Sequence, residues 1–437
     1  MRPNVKLTLI ALVAGAALFG RVPMAGSALT MGGMPTIGDL VEAGNVSNAE
    51  RLLRSEYSFE TRGGLLALHR FSILVLRQGL KESDPYERCY AATALVAYND
   101  WSGRGVIADG LLDSTNPMIQ KAVLEGVAEA DNPAALLVLE RFYRASGPVG
   151  RTIALSAMAD VRDPTLMPIW IDAAKRPNSS DAFWAATGFG SVRDSDALAQ
   201  LRLLLAKSTD PTIRVEAAHS LILQGDRSEA ALQTVEQALH GENVAEASGA
   251  ALALGDERNP AMAPILSEIE SEPRANYQVQ LAAAVALTHY GSSQGMPRLT
   301  AALSDQRECD FLMPMFDQLN FKLGRVLLIR AMSSADQQVR LAAIEAIGRN
   351  GGAPDAATLI ESISSANDPM DVAQIAWSLG HIGGQNTITP LLNMVQNSAP
   401  AVRYTAADAL AHETGVLLSN PATQGTEAGM SHEADSQ

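Results

Sequence analysis

The sequence has little of the chemistry that metal sites and thiol enzymes need. Only two cysteines, Cys89 and Cys309, occur among 437 residues. Two isolated thiols provide neither a Cys-x-x-Cys metal motif nor a neighbouring Cys/His nucleophile pair. A Gly-rich phosphate loop, a nucleophile elbow and a His-Glu-x-x-His motif are also missing from the sequence. The sequence therefore predicts no cofactor, no metal and no catalytic residues.

Aromatic residues are scarce as well. They make up 5% of the chain, while hydrophobic residues make up 47%. The apolar mass thus consists mainly of Ala, Leu, Val, Ile and Met, the residues of closely packed helices. This composition disfavours an all-β fold.

Positive charge is in deficit. The chain has 33 Lys and Arg against 48 Asp and Glu, a net charge of -15. A nucleic-acid binder needs a basic stripe that neutralises phosphates, and docking on anionic lipid needs basic residues too. Nucleic acid and the membrane surface are therefore not expected as partners. A net charge far from zero also keeps a long exposed surface soluble.

The first 28 residues have the pattern of a signal peptide. Basic residues precede an apolar run from Leu7 to Gly20, and small residues lead to Ala28. The run is shorter than the roughly 20 residues of a membrane-spanning helix. We expect cleavage after Ala28 and a periplasmic or secreted protein, with an uncleaved membrane anchor as the alternative. No cysteine near this junction could carry a lipid.

A helix start recurs every 31 or 32 residues through most of the chain. Most starts place Asp or Asn where its side chain accepts hydrogen bonds from free backbone amides, often before a Pro that suits the first helical position. The starts are Asp84-Pro85, Asn116-Pro117, Gly147-Pro148, Asn178-Ser179, Asp210-Pro211, Glu242-Asn243, Arg274-Ala275, Asp336-Gln337, Asp368-Pro369 and Ala399-Pro400.

Each start opens the second helix of a repeat, helix B, and an amphipathic helix A precedes it. A lone pair of such helices cannot bury both apolar faces, so the pairs must stack. The predicted fold is all-α: an α-solenoid of about ten to eleven stacked antiparallel helix pairs, a superhelix of the HEAT or armadillo kind.

The run from Val339 to Gly348 and the Asp-Pro starts resemble the HEAT-like repeats of bilin (phycobilisome) lyase subunits and of many bacterial scaffold proteins. The resemblance covers residues 63–415 and implies the fold, but such repeats serve enzymes and adaptors alike. HEAT-like oxygenases that hydroxylate deoxyhypusine hold iron with repeated His-Glu pairs, and the pairs at His412 and His432 do not match that pattern. The predicted organisation is a signal peptide over 1–28, an N-terminal cap over 29–62, the solenoid over 63–415 and a disordered tail over 416–437.

Arginine returns at one position of helix B in five repeats. These residues are Arg88, Arg151, Arg214, Arg340 and Arg403. In similar repeats an Asp of the adjacent turn pairs with this Arg, which favours a structural ladder. The alternative is a surface that binds anions, because a guanidinium group can hold an anion with two hydrogen bonds.

One repeat, residues 305–322, keeps the period but loses the pattern. Pro314 stands where helix B elsewhere has small residues, so the helix must break or bend there. The segment also contributes Phe311, Met313, Met315, Phe316 and Phe321. These side chains either fill the space that missing alanines leave, or form an adaptable surface that contacts a partner. They are the candidate partner-binding residues.

His381 and His412 share a repeat position. Without a carboxylate between them they are a poor metal pair, and near a helix end they complement the helix dipole. With no catalytic motif in the chain, we expect an exported scaffold that binds a protein or an extended peptide along the concave face lined by helix B. A bilin-lyase-like enzyme or chromophore chaperone is the first alternative, and an envelope spacer is the second.

Overall fold

A computed structural model describes residues 35–110, 116–130, 132–159, 161–177, 179–192, 194–258, 260–273 and 275–419. Within these ranges the chain forms 24 α-helices and two short 3-10 helices and contains no strand. The all-α fold class predicted from the sequence is confirmed. The predicted signal peptide lies outside the described residues, as does the predicted tail beyond residue 419. No helix in the described part of the chain is long and apolar enough to span a membrane.

The chain forms two compact units. In the described ranges, the central unit comprises residues 116–343 and the terminal unit comprises residues 35–110 together with 344–419. The helices of the central unit are α6 (Pro117–Glu129), α7 (Pro133–Ala145), α8 (Pro148–Met158), α9 (Met167–Ala174), α10 (Ser180–Ser191), α11 (Ser195–Lys207), α12 (Pro211–Leu223), α13 (Glu229–Leu239), α14 (Val244–Glu257), α15 (Ala263–Ser271), α16 (Tyr277–His289), α17 (Met296–Ala302), α18 (Gln306–Leu312) and α19 (Phe321–Ala331).

The terminal unit contains helices from both ends of the sequence. They are α1 (Ile37–Glu42), α2 (Val46–Glu56), α3 (Arg62–Gly79), α4 (Pro85–Ala97), α5 (Arg104–Ala108), α21 (Ala353–Ser362), α22 (Pro369–Ile382), α23 (Gln385–Met394) and α24 (Pro400–Ser419). Helix α20 (Gln337–Asn350) contributes to the central unit up to Ala343 and to the terminal unit from Ile344. Helix α24 runs four residues past 415, the predicted end of the array.

The predicted helix starts are the observed ones where the chain has an Asp or Asn cap. Asp84 accepts hydrogen bonds from the amides of Tyr86 and Glu87, and Asp210 does the same for Thr212 and Ile213. Asn116, Asn243 and Asp368 cap their helices in the same way. Local capping chemistry therefore sets where the B helices begin.

Neighbouring B helices approach closely at small residues. A Cβ atom added to Gly255 of α14 would lie 2.7 Å from the Ala286 Cβ of α16. In the terminal unit, a Cβ on Gly380 of α22 would lie 2.6 Å from the Ala409 Cβ of α24. The Gly and Ala pattern of helix B thus has a packing cause, because larger side chains would push the helices apart.

The terminal unit joins the first described helices to the last one. Helix α3 packs antiparallel to α24: Arg62 donates to the carbonyl of Leu418 over 3.3 Å, and His69 Nδ1 lies 3.0 Å from the carbonyl oxygen of Ala411. The N-terminal α2 also reaches the last repeat, where Arg54 donates to Asn393 over 2.8 Å. The cap predicted over 29–62 thus includes α1, which packs on α3, and α2, which bonds to residues near the other end of the sequence.

Candidate functional site

The degenerate repeat breaks where the sequence predicts. Helix α18 ends at Leu312, and a 3-10 helix continues from Met313 to Gln318 with Pro314 in its first turn. Proline has no amide hydrogen to donate and its ring collides with the preceding turn, so the α-helical pattern stops.

The side chains of this repeat do not form the exposed surface considered from the sequence. Phe311, Met315 and Phe316 have exposed fractions of only 6%, 2% and 1%. Phe311 packs edge-to-face on Tyr277, with ring centroids 6.2 Å apart. For these three residues the alternative of an exposed surface is wrong, and their burial agrees with the other alternative, in which large side chains fill the space that small residues fill in other repeats. Met313, Pro314 and Phe321 are half-buried, and partner binding by this segment stays a prediction.

Three polar contacts hold the broken segment in place. Arg298 binds Glu308 through two hydrogen bonds of 2.6 and 2.7 Å. The amide of Asn320 donates to Thr288 Oγ1 over 3.0 Å, and His289 Nε2 lies 2.5 Å from the Gln318 carbonyl oxygen. The end of α16 therefore binds the chain on both sides of Leu319.

The repeated arginines bind backbone carbonyl groups just before helix B. Arg88 Nη1 donates to the carbonyls of Glu82 and Ser83, both over 2.7 Å. Arg340 Nη1 does the same with Ser334 and Ala335, both over 3.0 Å.

Two further arginines of the series follow this pattern in part. Arg403 donates to the carbonyl of Asn397 over 3.1 Å, and Arg151 lies 3.4 Å from the carbonyl of Ser146. Arg151 also lies 3.8 Å from Asp181. In these four repeats the guanidinium group thus contacts carbonyl groups of the turn between helices A and B and ties that turn to helix B.

A stacked column of side chains crosses three consecutive B helices of the terminal unit at equivalent positions. The guanidinium of Arg349 on α20 lies 5.4 Å from the centre of the Trp377 ring on α22. His381, one turn further along α22, stacks on Trp377 with ring centroids 3.7 Å apart. His412 of α24 stacks on His381 at 5.9 Å, with 12° between the ring planes. We call these four residues the Arg/Trp/His column.

The column is exposed on one side and anchored on the other. Arg349, His381 and His412 are exposed, whereas Trp377 is buried. Arg349 is held by Glu345 on its own helix through bonds of 3.0 and 2.8 Å, and His381 Nδ1 lies 3.0 Å from the Trp377 carbonyl. These contacts orient the side chains, and Arg349, His381 and His412 reach the solvent.

Among the described residues, the two stacked imidazoles have no carboxylate ligand to complete a metal site with them. In the described part of the chain, no group of three or more His, Cys, Asp or Glu side chains is arranged to hold a metal ion.

A buried amide lies on the same stripe of α22. Gln374 stands one turn before Trp377 and has no exposed surface. Neither polar atom of its side-chain amide has a hydrogen-bond partner among the described residues. Leaving such a group unpaired costs about 1–3 kcal/mol, which makes this position costly for the fold.

A second polar cluster links three B helices of the central unit. Asp256 of α14 lies between two histidines, with Oδ2 2.8 Å from His219 Nε2 of α12 and Oδ1 3.1 Å from His289 Nδ1 of α16. Burial raises the pKa of Asp256, but hydrogen bonds and charge from both histidines outweigh it and hold the pKa well below its usual range. The three side chains lie in a row rather than around a common centre.

The sequence contained a signal for this cluster. Asp256 and His289 each stand twelve residues after the first residue of their B helix, as do Arg349, His381 and His412. Comparing that one position across all repeats would have found Asp256 and His289, whereas counting only equivalent histidines did not. His219 stands eight residues after the first residue of α12 and would have been missed.

Comparison with known proteins identifies the repeats. The family model described as HEAT repeats matches residues 73–159, 167–255 and 324–411, which together are more than half of the chain. The chain therefore belongs to the HEAT-repeat family. A comparison with curated proteins found no match.

Among solved structures, the chain matches human deoxyhypusine hydroxylase in complex with glycerol, at 17% sequence identity. The match covers 71% of this chain and 97% of the hydroxylase, with a TM-score of 0.24.

Proposed function

We propose that this HEAT-repeat protein is a non-catalytic scaffold that binds an extended segment of a partner protein across the B helices that carry the Arg/Trp/His column. The observation that carries the proposal is the Arg/Trp/His column of the terminal unit. Trp and Arg are enriched among the residues that dominate binding energy at interfaces, and here both are held rigidly by neighbours.

The spacing of the repeats suits an extended chain. Packed helices lie about 8–10 Å apart, and an extended chain advances about 3.3–3.6 Å per residue. A segment that crosses the B helices would thus place about every third side chain over a new repeat. Stacked ring edges and a guanidinium group would meet those side chains with hydrogen-bond donors and flat apolar surface.

We also propose that the protein works outside the cytoplasm. The pattern of residues 1–28 supports export, and the mature chain would begin at Leu29. Amino-terminal sequencing of the protein purified from the envelope or the medium tests this point. A protein that retains Met1 and stays in the cytoplasm would rule it out.

Site-specific cross-linking tests the binding face. A photoreactive residue at position 412 should trap a discrete partner in the producing cells, whereas the same residue at exposed position 361 on α21 should not. The trapped partner is then purified, and its affinity is measured for the wild type, His381→Ala and Glu361→Ala. A loss of about 1–3 kcal/mol, and thus roughly 5- to 150-fold in affinity, is expected for His381→Ala alone. Equal trapping at both positions, or equal affinity for both variants, would refute binding at the column.

A further inference from the structure

His289 connects two acceptor groups that a neutral imidazole cannot both satisfy. Its Nε2 faces the Gln318 carbonyl oxygen at 2.5 Å, and its Nδ1 faces Asp256 Oδ1 at 3.1 Å. A carbonyl and a carboxylate only accept hydrogen bonds, whereas a neutral imidazole has one N–H and one bare lone pair. The neutral ring would therefore direct a lone pair at an oxygen on one side. Only the doubly protonated ring presents a hydrogen to both.

The surroundings of His289 favour that charged form on balance. Burial lowers the pKa of His289, whereas the hydrogen bond and charge of Asp256 and the Gln318 carbonyl raise it, and the positive charge of Arg258 lowers it. The net pKa lies above the ordinary value for histidine. The second carboxylate oxygen of Asp256 lies 2.8 Å from His219 Nε2. The Asp256 carboxylate on α14 therefore contacts a histidine of α12 and a histidine of α16 at the same time.

The carbonyl that His289 binds belongs to the broken repeat. Gln318 is the last residue of the 3-10 helix that follows Leu312, and this helix carries the buried Met315 and Phe316. The 3-10 helix has poorer hydrogen-bond geometry than an α-helix, so outside contacts matter more for its position. The Nδ1 atom approaches Asp256 without the alignment of a regular hydrogen bond, which makes the Gln318 contact the shorter and better-directed of the two.

We propose that His289 is a proton-controlled clasp that holds the 3-10 segment Met313–Gln318 tightly against the end of α16 as an imidazolium and more weakly after deprotonation. The neutral ring keeps its one hydrogen on Nε2 and still donates to Gln318, but without the positive charge that strengthens such a bond. The direction follows from the raised pKa of His289: the stabilisation is complete below the pKa of an exposed histidine and is lost as the pH rises through the higher folded value. Deprotonation would thus loosen the repeat that contains the buried Phe and Met side chains.

The two cysteines provide a reporter and an internal reference. Cys309 lies on α18 immediately before the 3-10 segment, and Cys89 lies on α4 in the terminal unit; both are free and buried. Burial is the main cause that raises the pKa of each thiol to about 11. The intrinsic pH dependence of alkylation is therefore similar at the two sites, and their labelling ratio reports local opening near Cys309.

The experiment is alkylation of the full chain with iodoacetamide from about pH 6 to about pH 9, with both thiols quantified by mass spectrometry in the same sample. The ratio of Cys309 to Cys89 labelling should rise about tenfold across this range in the wild type, as expected when a hydrogen bond from a charged group becomes one from a neutral group. The ratio should not depend on pH in His289→Gln. In Asp256→Asn the rise should move to lower pH, because the carboxylate that favours the charged ring is gone.

A control variant removes a different histidine of the central unit. His240 is exposed at the end of α13, and His240→Gln should behave as the wild type does. A flat ratio in the wild type, or a rise that persists in His289→Gln, would overturn the clasp. If His289→Gln does not fold by circular dichroism, an unchanged midpoint in Asp256→Asn overturns it instead.

Discussion

Tyr98 donates its hydroxyl to both the carboxylate and the backbone carbonyl of Asp408, a residue 310 positions further along the chain, each over 2.8 Å. Tyr90 reaches the same carboxylate over 3.2 Å. Burial and the Asp408 charge raise the pKa of Tyr98 well above its ordinary value, so the hydroxyl keeps its proton and remains a donor. These bonds join α24 to helices of the first repeats within the terminal unit.

Replacing Tyr98 by Phe should therefore weaken the terminal unit. The change removes the one hydroxyl hydrogen that the two Asp408 oxygens share and leaves Asp408 with Tyr90 as its remaining tyrosine donor, which should lower the free energy of unfolding by about 1–2 kcal/mol. Denaturant unfolding followed by circular dichroism measures the loss. Tyr57→Phe is the matched control, because Tyr57 is exposed. Equal effects of the two variants would show that the Tyr98 hydroxyl contributes nothing specific.

Two glycines of α14 should respond to alanine in opposite directions. A Cβ on Gly255 would lie 2.7 Å from Ala286, so Gly255→Ala must push α14 and α16 apart and should destabilise the protein by about 1–3 kcal/mol. A Cβ on Gly249 would have its nearest contact at 3.7 Å, with Val215. Gly249→Ala should therefore stabilise the fold by about 0.5–1 kcal/mol, the gain in helix propensity. Thermal unfolding of both variants measures the two signs, and a stabilising Gly255→Ala would contradict the packing account.

The local features of the fold could be predicted from the sequence, and its long-range contacts could not. Asp84 and Asp210 mark helix starts because a cap acts within three residues, and Pro314 marks a break for the same local reason. The bond between Tyr98 and Asp408 has no local signal, because it depends on how repeats far apart in sequence meet. The burial of Phe316 could not be decided either, since a large apolar side chain in a broken repeat suits a core and a surface equally well.

In the candidate site, too, the sequence predicts equivalent positions but not the contacts that the side chains make. The shared register of His381 and His412 was visible in the sequence, but their stacking on Trp377 depends on rotamers and on the distance between helices. The repeated Arg was visible as a ladder, while the backbone carbonyls that Arg88 and Arg340 bind are not displayed by any sequence pattern. Sequence periodicity thus identifies equivalent positions, and the structure is needed to show what each position contacts.

Arginines at the same position of different B helices allow a test of whether binding to backbone carbonyls stabilises the fold. Arg340→Lys should lower stability by about 1 kcal/mol, because an ammonium group cannot reproduce the guanidinium geometry that serves the Ser334 and Ala335 carbonyls. Arg214→Lys, at the same position of α12, should have less effect, because Arg214 has no such pair of carbonyl bonds with the described residues. Urea unfolding of the two variants compares them directly. A larger loss for Arg214→Lys would reject this role of the ladder.

Glu125 of α6 should make the folded state less stable as the pH rises. Its carboxyl group is buried, one oxygen has no hydrogen-bond partner among the described residues, and Lys121 lies 3.5 Å from the other. The pKa of Glu125 is raised to about 8, mainly by burial. The charge of Glu129 also raises this pKa, whereas Lys121 lowers it. Because the folded pKa is the higher one, the folded state binds this proton more tightly than the unfolded state does. The favourable contribution is complete below the ordinary pKa of glutamate and disappears as the pH rises through about 8.

Glu125→Gln removes this dependence while keeping the shape of the side chain. The variant should match the wild type near pH 5, where the carboxyl group is protonated, and should be the more stable protein near pH 9, where the wild type must bury a charge. Unfolding midpoints measured across that range give the difference, with Glu129→Gln on the same helix as the control for loss of a negative charge. If Glu125→Gln were less stable than the wild type at pH 9, the Lys121 pair would outweigh the cost of burial, and the sign of the argument would be reversed.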